Sequence, residues 1–281
     1  SAPRAPDRWR TPRGVMQPMY QSEPQWHHYS SSYPFADKVA TGKVDAVSGK
    51  TWTDGLHRKP QDYVVVPRQP WLDGYNVGRG VIRQFVAMPL GAGYTVEEQE
   101  TGEADAGGLQ LIVYPMTRAS YERYRRKMAA QELRVGMPRR ARAASASGGA
   151  AMGLAPGGRM RQEIYKDHYD LSDWDHDRSS RCFVHMANSL AWGSITGEPP
   201  PHAPVTAAAY KRARLPWFEF YGDGETVPAS SVLQKVKSVV GLAAEKGDTP
   251  LPENESVEIP DEEIVHLRRN LEPDQVREGH F

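Results

Sequence analysis

Between Gln61 and Tyr114 the hydrophobic positions fall into four short runs, Tyr63–Val66, Val81–Met88, Tyr94–Gln99 and Leu109–Tyr114. Each is rich in β-branched or aromatic residues and bounded by Gly or Pro, a pattern that predicts strands. The connectors Gly78-Arg79-Gly80, Leu90-Gly91-Ala92-Gly93 and Gly102–Gly108 carry the glycines that tight antiparallel turns need. Within Val81–Met88, Val81, Phe85 and Ala87 fall on one face, and Ile82, Gln84, Val86 and Met88 on the other. The alternation is partial, and a strand mostly apolar on both faces belongs inside a sandwich or barrel.

The rest of the chain is read around these strands. Residues 1–14, with Pro3, Pro6 and Pro12, read as an N-terminal arm. From Val15 to Val47, aromatics mix with Pro18, Pro24 and Pro34, which forbid a helix and suit edge strands, so two or three short strands are expected. Residues 48–61 read as a loop. Thr117–Val135 is predicted to be a helix capped by Thr117, with Tyr121, Tyr124, Met128 and Leu133 at helical spacing. Gly136–Met160 holds almost nothing that anchors a core and reads as a flexible linker.

Residues 161–247 read as a second half contributing to the same fold. The pattern predicts strands at Arg161–Asp167, Cys182–Met186 and Leu215–Tyr221, a helical turn within Ala187–Ile195 and a short helix at Ala207–Arg214. Pro228–Lys246 places Val232, Leu233, Val236, Val239, Val240 and Ala243 on one face of an amphipathic helix. Residues 248–281 form an acidic tail, with a helical segment expected at Asp261–Asn270, where an acidic start and basic end suit the helix dipole. No internal repeat aligns. The expected fold class is all-β: an antiparallel β-sandwich centred on residues 15–135, with a few peripheral helices and extended terminal arms.

Composition narrows the function classes. The 35 basic and 35 acidic side chains cancel, so no bulk field favours nucleic acid or an anionic membrane. No apolar run approaches the roughly 20 residues that span a bilayer. The single Cys182 forms no disulfide within the chain, and SAPRAPDRWR has no apolar signal core; together these set the expectation of a cytoplasmic protein. The 23 Pro and 25 Gly suit a turn-rich β protein.

Four stretches resemble a family of uncharacterised microbial proteins: IRQFVAMPLGAGYTVEEQETG (Ile82–Gly102), QPMYQSE (Gln17–Glu23), PQDYVVVPRQPWLDG (Pro60–Gly74) and PVTAAAYKRARLPWFEFY (Pro204–Tyr221). The resemblance spans Thr11 to about Leu251 and implies one architecture across both halves. It implies no activity, cofactor or catalytic residue.

Candidate chemistry concentrates in His168–Asp177, HYDLSDWDHD. Asp170, Asp173, Asp175 and Asp177, with His168 and His176, offer hard oxygen and imidazole ligands for Ca or Zn, although the loop lacks the glycine and terminal glutamate of an EF-hand. The plainer reading is a turn whose acids cap nearby backbone. His27 and His28 are adjacent, so on a strand they face opposite sides and do not share one ion. Cys182 with His185 and Asp175 or Asp177 makes a poor nucleophilic site, because a thiol in an apolar strand is inert. Ser189 lacks a G-x-S-x-G elbow. Gly78-Arg79-Gly80 and Gly91-Ala92-Gly93 precede no predicted helix and read as turns, not phosphate loops. The basic run from Arg118 to Arg142 offers a nucleic-acid surface, with the acidic segment Glu253–Glu263 as the competing intramolecular or intersubunit partner.

With no catalytic constellation, the leading expectation is a structural or interaction protein that self-associates into a homo-oligomer through its arms and linker. The alternative is a small-ligand or metal-dependent enzyme or binding protein of sandwich type. Its pocket would be lined by Trp26, Trp71, Trp174 or Trp217 and the acids of the Asp170–Asp177 loop.

Overall fold

β-Branched side chains pack well on a pleated surface, and where they recur the computed structural model has strands. It describes residues 14–132, 151–201, 217–221, 225–249 and 264–268. The strands are β1 (Gly14–Met19), β2 (Pro24–Gln25), β3 (His27–His28), β4 (Phe35–Thr41), β5 (Val44–Asp45), β6 (Val64–Val66), β7 (Trp71–Leu72), β8 (Gly74–Gly78), β9 (Val81–Pro89), β10 (Leu109–Pro115), β11 (Ala151–Arg161), β12 (Ser180–Asn188), β13 (Trp217–Tyr221) and β14 (Ile264–Arg268). The helices are α1 (Val96–Thr101), α2 (Arg118–Glu132), α3 (Trp192–Thr196) and α4 (Val239–Lys246). The fold is β-rich.

Ten strands join one hydrogen-bonded sheet, ordered β2-β9-β11-β12-β10-β4-β5 with β1, β6 and β8 attached at its sides. β12 organises it. Along one edge β12 pairs antiparallel first with β10 (Leu109↔Val184 to Val113↔Ser180) and then with β11 (Met152↔Met186, Ala151↔Ala187). Its other edge carries β1, in parallel from Gly14↔Phe183 to Met19↔Asn188. β11 continues the sheet to β9, whose far edge is shared by β8 and β2. β10 continues it to β4, whose far edge is shared by β5 and β6. Pairing is thus mostly antiparallel as expected, with β1–β12 and β13–β14 as parallel exceptions.

The main core collects Val39, Leu72, Tyr75, Phe85, Ala87, Leu154, Met186 and Leu233 from both halves of the chain. A second cluster, around Tyr63, Tyr114, Met116 and Trp174, lies where α2 and the acid loop cover the sheet. A third joins Val86, Met88 and Tyr94 to Val239, Leu242 and Ala243 of α4. β9 therefore contributes to the core from both faces, as its mostly apolar faces predicted. Among the described residues one ion pair is buried: Lys38 Nζ donates to Asp62 Oδ2 (2.7 Å) and to the carbonyls of Thr53 (2.7 Å) and Gly55 (3.0 Å). Saturating the ammonium in this way offsets its desolvation.

Several expectations are corrected. Tyr94–Gln99 is not a strand: Val96–Thr101 is helical, capped by Thr95, whose hydroxyl accepts from the Glu98 N–H while the Glu98 carboxylate reaches back to the Thr95 N–H. This is a capping box, and it overrides the β-propensity of Tyr94 and Val96. The linker expected over Gly136–Met160 is not one from residue 151 onward, because Ala151–Arg161 is β11, seated between β9 and β12. Residues 133–150 lie outside the described residues. The strand expected at Arg161–Asp167 reduces to a single bridge, Tyr165↔Thr226. The helix expected at Pro228–Lys246 begins only at Val239, where the Ser238 hydroxyl accepts from the Gly241 N–H. Within Asp261–Asn270, Ile264–Arg268 is not helical but β14, paired with β13. The N-terminal arm and the Ala207–Arg214 helix lie outside the described residues.

Candidate functional site

The acid loop is organised by Asp167, the buried residue just before it. Its Oδ2 accepts from the Tyr63 hydroxyl (2.6 Å) and the Trp174 indole N–H (2.9 Å), and its Oδ1 from the Tyr169 N–H (2.8 Å). Trp174 is thereby pinned into the second core cluster, and Trp174 bridges Met116 at the end of β10. The loop itself makes two 3-10 turns, Leu171–Asp173 and His176–Arg178. Short polar side chains favour such local backbone bonding.

That geometry disperses the candidate ligands. Asp173 Oδ1 turns to α2, accepting from Ser120 Oγ (2.5 Å) and Arg123 Nη2 (2.6 Å), while its Oδ2 accepts from the Asp170 N–H (3.0 Å). Asp175 accepts from the Asp177 N–H (3.2 Å) within its own turn. Asp170 and Asp177 are exposed, as are His168 and His176; the His176 ring lies 5.4 Å from that of Tyr114. Among the described residues no three His, Cys, Asp or Glu side chains gather into a metal-holding group. Asp173 instead fastens α2 to the acid loop.

The other expected positions also disperse. Cys182 is half-buried on β12, and burial pushes its thiol up. Ser189 is buried. His27 is half-buried, with its imidazole lowered to about 4 by desolvation, whereas His28 is exposed. Trp174 is 1% exposed and Trp26 68%, so these two do not line one pocket, and the Trp217 side chain lies outside the described residues. In the basic run, Arg118 pairs with Glu122 (3.2 Å) and Arg123 with Asp173, while Arg125, Arg126 and Lys127 are exposed. Residues 134–142 lie outside the described residues.

Two features escaped the sequence reading. The first is a cleft of about 420 Å³ between the second half of α2, the Pro67–Arg68 turn and His168–Tyr169, floored by Val65, Val66 and Met128. Arg68 lies over the Tyr165 ring (5.6 Å to the centroid), and Lys127 and His168 complete its polar lining. Burial, then the Arg68 charge, hold His168 below the ordinary imidazole range.

The second is the edge formed by β1, which among the described residues pairs only with β12. Among the described residues the exposed large apolar side chains are Val15, Trp26 and Leu190. Val15 is on β1, and Leu190 begins just past Asn188, the partner of Met19 at the end of β1. Trp26 follows Gln25, whose amide donates to Gln17 of β1 (3.2 Å). Compared with protein-family models, with curated proteins and with solved structures, the chain matches none.

Proposed function

We propose that the chain is a non-catalytic interaction protein that self-associates through the edge of β1. The carrying observation is that, of the exposed large apolar side chains among the described residues, Val15 is on this strand, Leu190 lies two residues past the Asn188 partner of Met19, and Trp26 follows Gln25, whose amide donates to Gln17. A strand edge with unpaired backbone groups is a template for another strand. Flanking apolar surface adds the driving force, and a two-fold axis lets β1 meet its own copy antiparallel in a closed dimer. Pro18 removes one donor from that edge and so limits pairing to a short ladder.

The engagement of Asp173 and Asp175 in structural hydrogen bonds supports this reading over an enzyme using the acid loop. The main core, fed by both arms of the sheet, supports the two-layered sandwich form. Light scattering of the full chain is expected to give twice the 31.4 kDa chain mass. A Val15→Lys/Leu190→Glu variant is expected to give the single-chain mass with unchanged far-UV circular dichroism. A wild-type monomer at about 100 μM, two orders of magnitude above a Kd of about 1 μM, sinks the idea, as does a variant that stays dimeric.

A further inference from the structure

We propose that a row of buried polar tips on the inner face of the β2–β3 segment, together with Asp37 and Asp73, binds a small organic cation through a primary ammonium group. Gln25, His27 and Tyr29 alternate along this extended segment with the exposed Trp26 and His28, so their side chains share one face. That face looks into the main core. Gln25 stands opposite Phe85 in the β2–β9 ladder, the His27 ring lies 5.5 Å from the Phe85 ring, and Tyr29 packs against the core cluster. Each of the three ends in a buried atom with no hydrogen-bond partner: Gln25 Oε1, His27 Nε2 and the Tyr29 hydroxyl.

Two acids and an amide from other elements complete the set. Asp37 of β4 and Asp73, between β7 and β8, both act on the Tyr29 hydroxyl through their charge, Asp37 more strongly. Asp73 is fixed there by its backbone: its carbonyl accepts from the Phe85 N–H (2.9 Å) and its N–H donates to Gln162 Oε1 (3.0 Å). Asp37 and Gln162 are 3% and 8% exposed, yet Asp37 Oδ1, Asp73 Oδ1 and Gln162 Nε2 also lack partners. Six of the eight partnerless buried side-chain atoms among the described residues therefore belong to one neighbourhood. Protein interiors satisfy such groups with water or a ligand.

The acids set the sign of the ligand's charge. Burial pushes both carboxyls up to about 7, offset in part by the Tyr29 hydroxyl near Asp37 and the Gln162 amide near Asp73. Among the described residues neither has a cationic side chain as partner, so a countercharge has to come from outside. A primary ammonium brings that charge with three N–H donors, matched by Asp37 Oδ1, Asp73 Oδ1 and Gln25 Oε1. Among the described residues no three His, Cys, Asp or Glu side chains converge tightly enough to hold a metal ion. Charged N–H···O bonds of about 2.8 Å span a wider ring of acceptors than metal–oxygen bonds of about 2.0–2.6 Å, and so favour the ammonium. The neighbouring Tyr29 and Phe85 rings add the attraction of aromatic faces for a cation.

The test is calorimetry on the full chain at low salt and pH 8, where acids titrating near 7 are ionised. Three small probes are compared: ethylammonium, tetramethylammonium and ethanol. Ethylammonium is expected to saturate a single site. Tetramethylammonium, which has the charge without an N–H, and ethanol, which lacks the charge, are each expected to bind at least about tenfold more weakly. Asp37→Asn and Asp73→Asn keep the side-chain size and remove one charge. Each is expected to weaken ethylammonium about tenfold, and Asp177→Asn, at an exposed acid, to leave it unchanged. Should Asp37→Asn fail to fold, the half-buried Asp73 decides the matter. Absence of saturable ethylammonium binding up to about 10 mM, tenfold above a Kd of about 1 mM, overturns the proposal and leaves the cluster to water. Binding of tetramethylammonium or ethanol within about tenfold of ethylammonium overturns it as well. So does ethylammonium binding that Asp73→Asn weakens no more than Asp177→Asn does.

Discussion

Replacing Asp167 by Ala tests whether one buried carboxylate holds the acid loop on the sheet. Asp167 is 5% exposed, and two of its donors, Tyr63 and Trp174, are 0% and 1% exposed. The substitution removes their common acceptor and leaves the Tyr63 hydroxyl and the Trp174 indole N–H buried without one. An orphaned buried donor costs about 1–3 kcal/mol, so the pair costs about 2–6 kcal/mol; the half-buried Tyr169 amide re-solvates more cheaply. Against a typical total of about 5–15 kcal/mol, that is a large share. The second substitution separates orphaned donors from lost packing: adding Tyr63→Phe to Asp167→Ala deletes one orphan and is expected to recover about 1–3 kcal/mol. Urea unfolding followed by circular dichroism supplies both numbers. A loss below about 1 kcal/mol for Asp167→Ala, or no recovery in the double variant, refutes the reasoning.

Two further outcomes follow from the core. A Cβ at Gly157 meets Val86 Cγ2 at 2.5 Å and Gln84 Cβ at 3.2 Å; Gly157→Ala is expected to cost about 1–3 kcal/mol, as overpacking does, and a neutral result in urea unfolding means that β11 is not seated in the sheet. Desolvation pushes Asp37, Asp45 and Asp73 up to about 7. A raised carboxyl favours the folded state below its unfolded value near 3.8, and that contribution is lost as pH rises through 7, so these three make the protein more stable at pH 5 than at pH 8. Half-buried His27, lowered to about 4 by desolvation, opposes them as pH falls from 6.5. Thermal melts across this range are expected to show a net fall in Tm from pH 5 to pH 8, smaller in Asp37→Asn; a rise contradicts the desolvation of these acids.

The parts of the fold written in local pattern were legible. Val81–Met88 and Leu109–Tyr114 have the β-branched density of strands and are strands. Thr117–Val135 has helical spacing and is helical from Arg118 to Glu132. Tyr94–Gln99 was misread although the deciding signal, Thr95 with Glu98 three residues on, stood in the sequence. Ala151–Arg161 was not legible. Its glycines and Pro156 give no periodicity, and it is a strand because Gly157 admits Val86 and because Leu154 and Ala155 fill the core between β9 and β12. Ile264–Arg268 likewise finds its partner more than forty residues away at Trp217–Tyr221, a pairing that no local window contains. At the candidate sites, the acid loop was visible as a cluster of Asp, but the role of each depended on which donor lay opposite. The cleft was invisible, because Arg68, Lys127 and His168 are far apart in sequence and meet only through α2 and the loop.

The way β12 lends one side to two neighbours, end to end, makes the halves of this polypeptide interdependent. A fragment stopping before Ala151 retains β9 and β10, each stripped of a partner, and β1 with none. Such a piece carries three open seams where the intact chain closes them itself, so it is a poor candidate for independent folding and a good one for sticking to its own kind. Any scheme that divides the protein, whether by protease, by truncation or by gene fusion, has to keep β11 and β12 in reach of the first half, joined to it or supplied alongside.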